Sequence, residues 1–176
     1  MLKFCSSFLY DQAYFGGYPN EENFKELVEN GFIYFIDLTT LRERQRLEFD
    51  YSLEIPKYNN LFYMNFSIID NNIPCSQGLF LEFITFLADI IRTKKKIYIH
   101  CKGGHGRSSL IVASLLCHLY LYSPQKAFGL TKNFHEKRVN LKDKYKGIQC
   151  PQLYSQRKFI MDTFKQKSIF SQKNLI

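Results

Sequence analysis

The sequence predicts an α/β fold, with one domain over residues 1–176 built as a central mixed, twisted sheet flanked by helices and carrying a strand-turn-helix phosphate-binding loop. Three observations carry the prediction. The 176 residues are 45% apolar, enough for one sizeable core without disulfides or metals. Short apolar runs alternate with helix-period stretches before the chain finishes in helices, the order expected of a sheet covered on its faces. A glycine-rich turn, Lys102 to Gly106, lies between an apolar run and an apolar helix, where such sheets gather ligands.

The elements follow from local pattern. Glu22 to Asn30 sets Phe24, Leu27 and Val28 on one face and meets Gly31, suited to the left-handed turn after a helix. Ile33 to Leu38 and Leu61 to Phe66 are compact apolar runs and read as buried strands. Ser76 caps a helix from Gln77 to Thr93, whose Phe80, Phe83, Ile84, Leu87, Ile90 and Ile91 follow a 3.6-residue period. Ile97 to Cys101 is a short strand, and Arg107 to Tyr120, apolar nearly all round, is a buried helix. Two amphipathic helices close the chain, each opened by a proline in its first turn: Pro124 to Arg138 after Ser123, and Pro151 to Phe164.

Composition narrows the function. Five cysteines, no two closer than sixteen residues, exclude C-x-x-C zinc and thioredoxin spacings and favour a reducing, intracellular setting such as the cytoplasm, with nucleus or virion left open. Met1 to Tyr14 does not read as a signal peptide, and the longest apolar run, Leu110 to Tyr122, is too short to span a bilayer. The net charge of +8 is uneven: residues 1–125 carry 12 Lys and Arg against 13 Asp and Glu, and residues 126–176 carry 12 against 3. That basic third attracts anions, RNA and anionic lipid among them, or is simply a solvated helix face.

The chemistry concentrates in His100-Cys101-Lys102-Gly103-Gly104-His105-Gly106-Arg107-Ser108. Three glycines let backbone N–H groups turn inward around an anion, and the following helix adds its N-terminal dipole. The field that holds a dianion also favours the thiolate of Cys101 on the loop's floor. Arg107 supplies a planar fork for two phosphoryl oxygens, and Ser108 can donate to the sulfur. A merely buried cysteine in a tight turn would not call for the arginine and the glycines.

This string, HCKGGHGRS, resembles the H-C-x5-R-[ST] signature of the cysteine-dependent protein tyrosine phosphatases, and the compact dual-specificity branch fits best. Asp70, followed by Pro74 and 31 residues before Cys101, is similar to the family's general acid; the alternative is a turn Asp that caps the next helix. Gly16-Gly17-Tyr18-Pro19 and Ile36-Asp37-Leu38-Thr39 are similar to the opening of such domains. The resemblance implies a phosphocysteine intermediate and no cofactor or metal, with Cys101 as nucleophile and Arg107 as phosphate ligand. Asp70 would be acid then base, Ser108 would ease departure of the thiolate, and His100 would support the loop. It further implies phosphorylated proteins as partners, phosphotyrosine and also phosphoserine and phosphothreonine, since no extra aromatic loop deepening the pocket is recognisable. Oligomeric state is open.

Lys102, Gly103, Gly104, His105 and Gly106 are candidate substrate contacts. Lys102 is shared with phosphoinositide phosphatases, but His105 stands where those carry a second Lys. The RNA 5′-triphosphatases carry an Asn before the signature arginine, and this chain has Gly106 there. A catalytically weak phosphate-binding module is the reading from another class. Gln156 resembles a helix position near the active site of relatives, against a plain surface glutamine. His118 reads as a core histidine, and His135 and Glu136 to Arg138 as a polar helix face. Cys75 is a candidate resolving thiol or a packed cysteine.

Overall fold

A computed structural model describes residues 2–165. Five strands form one sheet: β1 (Cys5–Leu9), β2 (Ala13–Gly16), β3 (Phe32–Asp37), β4 (Phe62–Asn65) and β5 (Lys96–His100), in the order β1-β2-β5-β3-β4. β1 and β2 form an antiparallel hairpin, and the other three pairings are parallel. The helices are α1 (Glu21–Glu29), α2 (Leu41–Arg44), α3 (Gln77–Arg92), α4 (Arg107–Tyr120), α5 (Pro124–Glu136) and α6 (Tyr154–Phe164).

The sheet divides the core in two, and the alternation of β5 shows how. Ile97 and Ile99 point into one cluster with α3, α4, α5 and α6, while Tyr98 points into the other with Phe24 and Leu27 of α1 and with Tyr51 and Ile55 of two 3-10 turns. β5 is central, paired on both sides, so every one of Ile97 to His100 is buried. That burial delivers Cys101 from a rigid strand end. α4 is buried on all faces from Arg107 to Cys117, as its all-round apolarity predicts.

Three expectations change, and one element is new. The run Leu61 to Phe66 is not a buried strand: β4 lies at the sheet's edge, paired with β3 alone, and Phe62 is 51% exposed. Pro151 does not start the last helix; it follows a cis peptide after Cys150, and α6 begins at Tyr154. α5 ends at Glu136, two residues earlier than expected. The hairpin β1–β2 has no predicted counterpart, because Cys5-Ser6-Ser7-Phe8-Leu9 lacks the β-branched run that marks a strand and is held by pairing and by Phe8 packed in the core. The basic third runs past Lys165, so its end lies outside the described residues.

Candidate active site

β5 ends at His100 and α4 begins at Arg107, and the six residues between them wrap around the sulfur of Cys101. Cys101 is 3% exposed; its Sγ accepts the Gly104 N–H at 3.2 Å and lies 3.7 Å from Ser108 Oγ. Gly104 has φ +77°, and a Cβ there would stand 2.4 Å from the Gly16 carbonyl carbon and 2.5 Å from the Gly17 nitrogen. Those are backbone atoms with no freedom to give, so the loop accepts only glycine at this point. α4 starts on Gly106, which offers no capping side chain, and its first-turn N–H groups stay available to a ligand.

Arg107 is 1% exposed, and its two terminal nitrogens are engaged while its buried Nε has no partner. Nη1 donates to Glu43 Oε2 (2.9 Å) and the Ile68 carbonyl (2.9 Å), and Nη2 to Glu43 Oε1 (2.7 Å), with Asp70 Oδ1 2.8 Å away. The planar fork is thus held in one orientation by a bidentate carboxylate. Glu43 in turn closes a capping box on α2, accepting the Thr40 N–H at 2.9 Å while the Thr40 hydroxyl accepts the Glu43 N–H at 3.3 Å. Burial pushes the Glu43 carboxyl up, but the bonds from Arg107 and Thr40 outweigh it and leave it below the usual carboxylate range.

Behind the loop the supports are buried. His100 Nε2 and the Tyr51 hydroxyl are 2.6 Å apart, and burial pulls this imidazole down to about 4, so it is neutral. Its carbonyl accepts the Leu38 N–H at 2.9 Å. Asp37 accepts from Thr39, Arg44 and Tyr63, tying the end of β3 to α2 and β4. The Tyr18 N–H donates to the Lys102 carbonyl at 3.1 Å, so the Gly16-Gly17-Tyr18 turn clasps the loop from outside.

The front opens on a cavity of about 370 Å³ that brings together Cys101, Lys102, Gly103, His105, Gly106, Arg107, Asp70 and Gln156. Asp70 is 58% exposed, and the next residue, Asn71, takes a left-handed turn (φ +58°), which asparagine tolerates. Gln156 corrects its surface reading: it is 1% exposed, donates to the Asn72 carbonyl at 3.1 Å and abuts Gly106. His135 and Arg138 are corrected as well. Both are buried, since the end of α5 packs against the loop instead of facing solvent: His135 Nε2 is 2.7 Å from His105 Nδ1, and Arg138 Nη2 donates to the Gly104 carbonyl at 3.2 Å. Burial pulls His105 down to about 3 and His135 to about 4. His105 also stacks on Tyr145 with ring centres 3.7 Å apart.

Sequence reasoning misses Glu43, Tyr145 and Gln152 at this site. The first had a signal, since Thr40-Leu41-Arg42-Glu43 is a capping-box string right after a strand. Cys75 is exposed and does not line the cavity. A larger groove of about 500 Å³ runs between Tyr122, Pro124 and α6 and contains none of these groups. Among the described residues no three His, Cys, Asp or Glu gather as a metal site, and no helix is long and apolar enough to cross a membrane.

Residues 12–119 match the family described as "Polymorphic toxin system, DSP-PTPase phosphatase". Protein 067L of Invertebrate iridescent virus 3, which bears a tyrosine phosphatase's name, is 34% identical over 178 residues, covering 97% of this chain and 70% of its own length. Among solved structures, the active form of Tk-PTP superposes with a TM-score of 0.74 at 20% identity, covering 94% of this chain and 99% of its own. PTPMT1 in complex with PI(5)P does so at 0.72 and 16% identity, covering 96% and 99%. At those identities the likeness is one of fold.

Proposed function

The chain belongs to the DSP-PTPase phosphatase family and is a protein-tyrosine/dual-specificity phosphatase, and from that premise we propose that it hydrolyses phosphotyrosine, phosphoserine and phosphothreonine in proteins through a phosphocysteine on Cys101. The observation that carries the reading is one cavity holding a thiol, an oriented guanidinium and an exposed carboxylate.

In the first step the Cys101 sulfur attacks phosphorus in line; the S–P bond forms as the P–O bond to the leaving group breaks, and Asp70 gives that oxygen its proton. Arg107 and the loop N–H groups take the equatorial oxygens. The entering phosphoryl group competes with Asp70 for Arg107 Nη2, so substrate frees the carboxyl for its proton. In the second step Asp70 takes a proton from water, the new P–O bond forms, and the thiolate leaves with the Ser108 hydroxyl donating to it.

Lys102, exposed beside Cys101, and the fold shared with a phosphoinositide-bound neighbour make lipid phosphate the competing substrate class. The test is hydrolysis of an aryl phosphate in chelating, reducing buffer, then of phosphopeptides, phosphoinositides and 5′-phosphorylated RNA. Cys101→Ser should abolish turnover and Asp70→Asn should lower it by about 100-fold. Lipid or RNA consumed faster than every phosphopeptide would replace the protein substrate, and activity surviving in Cys101→Ser would end the phosphocysteine route.

A further inference from the structure

Two buried arginines meet the phosphate loop, and their charges are balanced very differently. Arg107 faces two carboxylates, Glu43 and Asp70. If both are ionised, that corner is net negative and does not favour a thiolate. Other cations contribute little: Lys102 stands in solvent, Lys144 is exposed over the outer side of Tyr145, and Arg44 is paired with Asp37. The three histidines nearest the loop, His100, His105 and His135, are held neutral by burial.

Arg138 is what remains. It is 6% exposed, and among the described residues no carboxylate lies within ion-pair distance of it. Its Nη2 donates to two neutral carbonyls, Gly104 at 3.2 Å and Phe15 at 3.4 Å, its guanidinium lies 5.5 Å from the centre of the Phe15 ring, and its Nε has no partner. An arginine stays charged even when burial lowers its proton affinity, and a buried cation without a counter-ion is costly. The acidic groups that act most strongly on it are Tyr98, Cys5, Cys101 and Cys150. Burial pushes Cys5 up to about 12, Cys150 to about 11 and Tyr98 well above its ordinary value. Of the four only Cys101 lines the cavity, so Cys101, and any anion the loop holds, are the groups placed to face that charge.

Arg138 also acts through the backbone. The carbonyl it holds belongs to the Gly104–His105 peptide, which is trans, so the N–H of His105 points away from Arg138 and into the loop. A charged donor on a peptide's oxygen polarises its N–H as well.

We propose that Arg138 is a positioning residue for the reaction at Cys101, fixing the Gly104–His105 peptide from behind and supplying the unbalanced positive charge that holds the sulfur as thiolate. The proposal rests on Cys101 being the nucleophile, and its test separates the two. Iodoacetamide alkylation of Cys101 is followed from pH 5 to pH 9 by peptide mass mapping in wild type, Arg138→Gln and Arg138→Lys, each shown folded by circular dichroism. Glutamine keeps a donor for the Gly104 carbonyl without charge, and lysine keeps charge without the planar fork. At pH 6 Arg138→Gln should react about tenfold or more slowly, with its profile displaced to higher pH, while Arg138→Lys stays within about threefold of wild type. The acid limb of kcat/KM should move with the alkylation profile. An Arg138→Gln profile that matches wild type overturns the proposal, as does an Arg138→Lys profile displaced as far as that of Arg138→Gln. Should Arg138→Gln fail to fold, an Arg138→Lys rate at pH 6 lower than wild type by about tenfold or more overturns the proposal on its own. Wild-type Cys101 reacting no faster at pH 6 than an unstructured cysteine peptide would instead refute the nucleophile itself.

Discussion

Replacing Glu43 with glutamine isolates the bidentate pair that orients Arg107. The variant keeps the side chain's shape but turns one of its two acceptors into a donor facing a guanidinium that is 1% exposed. Glu43 itself is 17% exposed, so solvent screens the pair only modestly. Hydrogen bonds to charged groups contribute about 1.5–3 kcal/mol each, but Arg107 keeps the Ile68 carbonyl and Asp70, so the expected loss is about 2 kcal/mol at pH 7. For a chain of this size that is about 4–8 °C in Tm. The sign of the pH dependence follows from a carboxyl held below its ordinary range in the native state: its contribution is complete above the unfolded pKa and is lost as pH falls through the native one. Thermal unfolding of wild type and variant at steps from pH 7 to pH 3 should show a gap that closes as the solution becomes acid. kcat/KM for an aryl phosphate should fall about tenfold or more because the fork is no longer fixed in orientation. A gap that stays constant down to pH 3, or one below about 0.5 kcal/mol at pH 7, would refute the pair as described.

Gly104→Ala should cost about 2 kcal/mol or more, from a left-handed conformation and a collision with the backbone of Gly16 and Gly17. Urea denaturation measures it, and an unmoved midpoint would mean the loop does not sit against that turn. His100, His105 and His135 are kept neutral by burial with pKa values of about 4, about 3 and about 4, so the unfolded chain binds protons that the native chain refuses. Stability should therefore be complete above about pH 6.5 and fall from there towards about pH 4. His135→Gln should flatten part of that slope in denaturation at stepped pH, and an unchanged slope would contradict the neutral His105–His135 pair.

What could be read from the sequence was what is local. HCKGGHGRS announces its strand, its turn and its helix because each is specified within a few residues, and the limits of α4 come out as expected from unbroken apolarity. Asp70 was legible only through the family resemblance, as an Asp 31 residues before Cys101, and the structure places it in the cavity 2.8 Å from Arg107. Arg138 was hidden for the opposite reason. In Glu136-Lys137-Arg138 it looks like one more charge on a solvated face, and only the chain's path after α5 turns it under Gly104. His135 is hidden in the same way, and Gln156 was reached only through the resemblance: a lone polar residue on an amphipathic helix carries no sign of whether its face meets solvent or another loop. β4 shows the converse error, since an apolar run gives composition but not rank within the sheet, and an edge position leaves half of it exposed.

Three departures from ordinary stabilising practice converge on Cys101. α1, α2, α3 and α5 begin with capping side chains from Asn20, Thr40, Ser76 and Ser123, while α4 on Gly106 and α6 on Leu153 begin with none, and of these two only α4 opens on the phosphate loop. Gly104 turns left-handed against another backbone, and Arg138 keeps a buried charge without a carboxylate. The uncompensated buried charge costs the free protein most, whereas glycine in place of a capping side chain costs only about a few tenths of a kcal/mol. A single anion in the loop would relieve them together, accepting from the bare N–H groups while balancing Arg138. Relieving all of them takes several acceptor oxygens and more than one negative charge. A phosphate monoester dianion has both. A diester has one charge and a second organic substituent that would lie where Arg107 and the loop N–H groups need oxygen, so the same residues that favour the monoester act against the diester.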